Sequence, residues 1–198
     1  MFCISLQYTS MSKQIKNKEQ LKEIDFSTQK NLREDFNNCE FVNCIFSDLS
    51  NVNFIDCDFK NSNLSNLKTT NSRFQNVSFF DCKLLGLNFS GAIDFAFELH
   101  FENCILDYAS FDKKKLNKSS FKNCKIHSAN FTQADLSKSS FINCDLNESL
   151  FANTNLSTID FTTSKNFLID PELNNIKKAK FLAQDLPNLL YRHDILIE

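Results

Sequence analysis

The sequence predicts an all-β repeat solenoid with four flat walls, and three observations predict it. The first is composition. Among 198 residues there are 22 Phe, 2 Gly, 2 Pro, no Trp and 8 Cys, where average usage gives about 14 Gly and about 10 Pro. So few glycines exclude folds built on Gly turns: many-hairpin sandwiches, dinucleotide-binding folds and P-loop enzymes. The second is a spacing of five. Phe101, Leu106, Phe111, Leu116, Phe121, Ile126, Phe131, Leu136, Phe141, Leu146, Phe151, Leu156 and Phe161 alternate aromatic with aliphatic without a break. The third is a spacing of twenty. Phe101, Phe121, Phe141 and Phe161 form one column, and Asn103, Asn123, Asn143 and Cys104, Cys124, Cys144 form two more.

A period of five is neither the 3.6 of a helix nor the 2 of a strand. The residue two before each large one is small in most repeats, as in Cys104, Ala109, Ala129, Ala134 and Cys144, with Lys114 an exception inside the run. Small and large residues at i−2 and i therefore point inward, and the Asn, Asp, Ser, Lys and Thr between them face water. Four five-residue units make one coil, and about seven coils follow from the repeat length. Phe101 and Phe111 stand on opposed walls, with Leu106 and Leu116 on the other two, filling a narrow square section. A second run reads Phe54, Phe59, Leu64, Thr69, Phe74, Phe79, Leu84 and Phe89, where only Thr69 is out of character. An earlier run reads Phe26, Asn31, Phe36, Phe41 and Phe46, with Asn31 its weak member.

These runs divide the chain into an N-terminal extension and cap (1–20), the repeat array (21–166) and a C-terminal cap or dimerisation segment (167–198). Two register breaks, at 47–53 and 90–100, interrupt the array, because Phe46 to Phe54 and Phe89 to Phe101 are not multiples of five. Each must bulge, loop out or shift a wall. In the second, Phe95, Phe97 and Leu99 alternate and are placed to tuck against the rod. Read as a loop on a rigid scaffold, it offers Asp94, Phe95, Phe97 and Glu98 as partner-binding residues; read plainly, it is a tolerated insertion.

Solenoid ends expose strand edges and need caps. Lys13, Lys16, Lys18 and Lys22 discourage stacking at the N-terminal end. Near the other end, Asp185 and Pro187 signal a short helix with Leu186, Leu189 and Leu190 on its apolar face, and Ile195-Leu196-Ile197 reads as a short strand. Leu186, Leu189, Leu190, Ile195 and Ile197 are the candidate homodimer interface, the alternative being a plain cap.

Net charge is −2, which excludes a globally basic nucleic-acid binder. No run approaches the roughly 18 apolar residues of a membrane span. Met1-Phe2-Cys3-Ile4 is a poor signal peptide, with Met11 a second possible start, so a cytoplasmic chain with reduced thiols is expected. Acidic bands (Glu34, Asp35, Glu40, Asp48, Asp56, Asp58; then Asp81, Asp94, Glu98, Glu102, Asp107, Asp112) alternate with a basic one (Lys113, Lys114, Lys115, Lys118, Lys122, Lys125, Lys138). Charges twenty apart are expected to pair, Glu102 with Lys122 and Lys125 with Asp145.

No chemistry emerges. Seven of the eight cysteines occupy inward i−2 positions, reading as small buried residues in place of Ala or Ser, and no Cys-x-x-Cys pair marks a metal. His100, His127 and His193 lack triad partners, and no phosphate loop occurs. A non-enzyme without metal or cofactor is expected.

Ala129-Asn130-Phe131, Ala134-Asp135-Leu136 and Ser62-Asn63-Leu64 match A-(D/N)-(L/F)-x-x, and on these the chain resembles the pentapeptide-repeat family. That resemblance implies a right-handed quadrilateral β-helix. The tail resembles that of the Qnr-type quinolone-resistance subgroup. This implies an end-to-end homodimer, similar to B-DNA in size and shape, that binds DNA gyrase or topoisomerase IV and protects it from quinolones. The mixed charge bands favour instead a general protein-interaction or structural scaffold. Neither reading calls for direct nucleic-acid binding or a membrane.

Overall fold

The structure is a computed structural model describing residues 18–27, 35–193, 195 and 196. Lys13, Lys16, Asn31 and Ile197 lie outside the described residues. The chain coils into a parallel β-solenoid of four walls. The first wall is a seven-stranded parallel ladder: β1 (Glu19–Lys22), β3 (Cys39–Val42), β5 (Asp58–Lys60), β7 (Val77–Phe80), β8 (Leu99–Glu102), β9 (Ser120–Lys122) and β10 (Ser140–Ile142). The fourth wall is a three-stranded ladder of β2 (Phe36–Asn37), β4 (Asn53–Ile55) and β6 (Arg73–Gln75). Single parallel bridges such as Ile105↔Lys125↔Asp145 and Ser110↔Asn130↔Leu150 tie the second and third walls.

Registers place like on like: Phe41↔Phe59, Phe79↔Phe101, Phe101↔Phe121 and Phe121↔Phe141 on the first wall, Phe54↔Phe74 on the fourth. Rings therefore stack along the axis at the ladder spacing, with Phe101–Phe121 centroids 5.1 Å apart and Phe121–Phe141 4.6 Å. A second stack runs up the third wall through Phe89, Phe111, Phe131 and Phe151. The two stacks meet edge to face, as in Phe111–Phe121 at 5.8 Å and 88°, a geometry adding about 0.5–1.5 kcal/mol per pair beyond area burial. Thr69 keeps its place in the third wall, buried, by donating its hydroxyl to the Asn88 carbonyl at 2.6 Å.

Both register breaks stay within the coil. In the first, buried Leu49 takes the third-wall position three residues after Phe46, so Phe41 pairs with Phe59 across 18 residues. In the second, the coil gains two residues and Phe79 pairs with Phe101 across 22.

The corners explain the scarcity of glycine. Twenty-four non-glycine residues among those described have positive φ, half of them Asn. Asn tolerates that region better than other side chains. At corners closed by a turn hydrogen bond, such as Ala109 N–H to Leu106 C=O and Ala134 N–H to Phe131 C=O, the left-handed residue is of any kind: Tyr108, Lys113, Ser128 or Gln133. Between the first and second walls no such turn bond is found until the last coil, where Ser164 N–H donates to Phe161 C=O, and every left-handed residue there from Asn43 through Asn61, Asp81, Asn103 and Asn123 to Asn143 is Asn or Asp. Their side chains form a ladder, Asn143 donating to Asn123 and Asn123 to Asn103.

The same difference separates cysteine from alanine at i−2. A turn-closed corner already satisfies the i−2 amide, and Ala109, Ala129 or Ala134 suffices there. An open corner frees that amide, and an acceptor one coil on takes it: Cys44 N–H to Ser62 Oγ and Cys144 N–H to Ser164 Oγ, both 3.2 Å, and Thr154 N–H to Asn174 Oδ1 at 2.9 Å. Sulfur serves likewise in the Cys82, Cys104, Cys124, Cys144 column, where each amide faces the next thiol. An unpaired buried amide would cost about 1–3 kcal/mol.

Candidate partner-binding surfaces

The second register break is the most irregular place on the rod. The fourth-wall ladder runs through Arg73↔Ile93 and stops, because the extra two residues carry the chain out of pairing reach of Lys115. Phe97 fills the inward space left, 4 % exposed and packed edge to face on Phe74 and Phe89. It is thus a core residue and offers nothing to a partner as the structure stands. Phe95 is its opposite, 68 % exposed with the Arg73 guanidinium over its ring at 5.5 Å. Asp94 is half-exposed, and Glu98 faces the His100 ring at 3.4 Å. An open cleft of about 490 Å³ lies here, lined by Gln75, Asn76, Phe97, Lys115 and Lys118 among others.

Lys114, the misfit among small inward residues, closes the gap. Its side chain is 3 % exposed, and its ammonium donates to the Ala92 carbonyl at 2.6 Å and to Asp94 at 2.8 Å, beneath the Phe97 ring. The cation thus caps a carbonyl of the interrupted ladder. The break is a plugged bulge, and no stretch of 90–100 projects as a free loop.

At the C-terminal end, Ile169 N–H donates to the Asn188 carbonyl, and Arg192 pairs with buried Asp170 at 2.6 Å, clasping the tail onto the last coil. The Glu172 amide, joined by the Arg192 guanidinium, holds the Asp170 carboxyl below the usual carboxylate range. The helix is a single turn, α1 (Pro187–Leu190), after a 3₁₀ turn at Ala183–Asp185. Leu189 turns onto the core, whereas Leu186 (48 %), Ile195 (52 %), Leu182 and Tyr191 stay exposed and Leu190 half-buried. Of the predicted interface residues, Leu186, Leu190 and Ile195 thus belong to an apolar end face, and Leu189 belongs to the cap. Ile195 is not in a strand.

Charges interleave more finely than the sequence bands suggest. Lys122 pairs with Glu102 at 2.7 Å as expected. Lys125 does not pair with Asp145; it reaches back to Asp107 at 2.9 Å, and Asp145 instead faces His127 at 3.3 Å. The carboxylate of the preceding coil lies closer because Asp107 is drawn inward by the His127 amide.

All seven described cysteines are buried free thiols. Burial pushes the Cys44 thiol up, and hydrogen bonding to Cys124, then burial, does so for Cys104 and Cys144, which leaves these three poor nucleophiles; hydrogen bonding to the neighbouring thiol holds Cys39, Cys82 and Cys124 down instead. Phe101, Phe121, Phe141 and Phe161 are buried in their column as predicted. Among the described residues, no three His, Cys, Asp or Glu side chains converge to hold a metal, and no helix is long and apolar enough to cross a membrane.

Comparison with known proteins agrees with this architecture. No curated protein matches by sequence. Among solved structures, full-length QnrB1, a plasmid-mediated fluoroquinolone resistance protein, matches over 89 % of this chain and 100 % of its own at 20 % identity, with a TM-score of 0.57. HetL, a pentapeptide-repeat protein involved in heterocyst differentiation regulation from the cyanobacterium Nostoc sp. strain PCC 7120, matches over 81 % of each chain at 12 % identity and a TM-score of 0.39. Family profiles match too: "Pentapeptide repeats (8 copies)" at residues 35–68 and 57–93, and "Pentapeptide repeat region" at 93–166. Together they span well over half of the sequence in the register of the four walls, and the chain belongs to the pentapeptide-repeat family.

Proposed function

We propose that this chain is a non-catalytic, protein-binding rod of the Qnr type. It pairs end to end through its apolar C-terminal face and shields a type II topoisomerase, DNA gyrase or topoisomerase IV, from quinolones in the cytoplasm. The observation that carries this reading is the end-to-end match in fold to a fluoroquinolone resistance protein, which leaves none of that protein's length unaccounted for. The exposed Leu182, Leu186, Tyr191 and Ile195 supply the contact for pairing. The second reading is a scaffold for another partner. It is favoured by the surface charge, because a DNA mimic presents unpaired anions and here Glu40, Glu102, Asp107 and Asp160 are each paired with lysine.

A gyrase supercoiling assay with ciprofloxacin separates the two. The expected result is restored supercoiling over a titration of the full chain, with Leu186→Asp monomeric by light scattering and weaker in rescue. No rescue at any protein concentration would leave the scaffold reading in its place.

A further inference from the structure

The coil geometry collects a set of lysines that the sequence disperses. The corner between the fourth and first walls is formed by residues two after each fourth-wall residue. Up to the insertion it carries Asn38, Asp56 and Asn76. Beyond the insertion it carries Lys118, Lys138, Thr158 and Lys178, with Lys115 and Lys177 beside it on the fourth wall. All five lysines are exposed. None of them forms an ion pair with a described carboxylate, whereas Lys113, Lys114, Lys122, Lys125, Lys165 and Lys180 elsewhere on the same coils all do. Among the described residues the other three corners carry Lys113 alone, and it faces Asp112.

The carboxylates around the patch are already engaged. Asp135, in register with Lys115, accepts from Asn155 Nδ2 at 2.9 Å and from the Ser137 amide at 3.0 Å. Asp94 is held by Lys114 and Glu98 faces His100. A straight file of unneutralised cations results, stepped at multiples of about 4.8 Å. An evenly charged linear polyanion fits such a file, and the phosphodiester backbone of a nucleic acid is one. Lys115 and Lys118, at the head of the file, line the open cleft at the second register break.

We propose that this lysine edge is a nucleic-acid backbone-binding surface, reading phosphate and not base sequence. The overall charge of −2 conceals it, because Asp135, Asp94 and Glu98, the carboxylates nearby, are outnumbered by the five lysines. The proposal does not depend on the topoisomerase reading: absent quinolone rescue would leave it standing, and absent DNA binding would leave rescue possible.

The test is fluorescence anisotropy of the full chain with a labelled 30-base-pair duplex of arbitrary sequence, repeated across salt concentrations. The comparison is with the triple variant Lys118→Gln/Lys138→Gln/Lys178→Gln. Glutamine already occupies an equivalent left-handed corner at Gln133, so the variant is expected to fold. For five phosphate contacts, binding is expected to weaken about 500-fold between 50 and 200 mM salt. The triple variant should lower the log–log salt slope by about 2.7, at roughly 0.9 per phosphate contact. The control Lys68→Gln/Lys83→Gln, which removes two exposed lysines on other walls, should change nothing. The proposal is overturned by no binding at 50 mM salt, by equal loss in the control, or by poly-glutamate binding as tightly as the duplex.

Discussion

The two halves of the rod solve one packing problem in two ways. Before the insertion, phenylalanines occupy adjoining walls, the fourth (Phe36, Phe54, Phe74) and the first (Phe41, Phe59, Phe79), and both are strand ladders. After it, phenylalanines occupy opposed walls, the first (Phe101, Phe121, Phe141) and the third (Phe111, Phe131, Phe151), while Leu116, Leu136 and Leu156 fill the fourth. Only the first wall remains a strand ladder there. Phe74 meets Phe89 at 5.4 Å with Phe97 between the systems, so the transfer from fourth wall to third coincides with the two extra residues. Wall identity is set by where the large rings go. Strand character follows from open, Asn-lined corners, and turn-closed corners shorten strands to single bridges.

The sharpest way to break the comparison is at the joint. Lys114→Met keeps the volume but leaves the Ala92 carbonyl without its charged donor, and is expected to cost about 1.5–3 kcal/mol. Lys115→Met, one residue away and exposed, is expected to stay within about 0.5 kcal/mol. Equal urea midpoints for the two would show that the plug does not hold the joint. A smaller effect separates the corner types: Asn123→Ala at an open corner should cost about 1–2 kcal/mol, and Gln133→Ala at a turn-closed corner less than about 0.5 kcal/mol. If thermal midpoints shift alike, the corner distinction is wrong.

The smallest effect concerns the C-terminal clasp. Because Asp170 is depressed in the folded chain, its contribution is complete above the free-Asp value of about 3.9. It fades as pH falls through the lower folded value. Hydrogen exchange at residues 186–192 should therefore be unchanged, after correction for intrinsic rates, from pH 8 to 5 and accelerate only below about 4. Loss of protection already at pH 6 would contradict the assignment.

Much of this was legible in the sequence. The five-residue spacing named every inward ring from Phe101 to Phe161 and placed the cysteines inside, because side-chain direction in a regular coil depends on position alone. The breaks were visible as miscounts, but their form was not: a change of two residues is absorbed only if a residue such as Leu49 or Phe97 finds the vacated inward space. Lys114 stood out as a misfit, yet its partners lie 20 and 22 residues back across the irregular coil. Spacing alone pairs Lys125 with Asp145, whereas Asp107 lies nearer once drawn inward. Lys115, Lys118 and Lys138 of the lysine edge fall in the basic band of the sequence while Lys177 and Lys178 lie outside it, and nothing in the linear order shows which lysines are neutralised.

The two irregular coils, of 18 and 22 residues, have a consequence for the chain as a ruler. One loses what the other gains, so Leu21 and Phe181 stand a whole number of twenties apart on the same wall. The gene therefore carries two offsetting phase shifts, and outside the interval between them the reading frame of walls is common to both ends. Excising residues 121–140 would join Ser120 to Phe141 and shorten the rod by one coil without rotating any wall. Length in this protein is a modular quantity, separable from the identity of its surfaces.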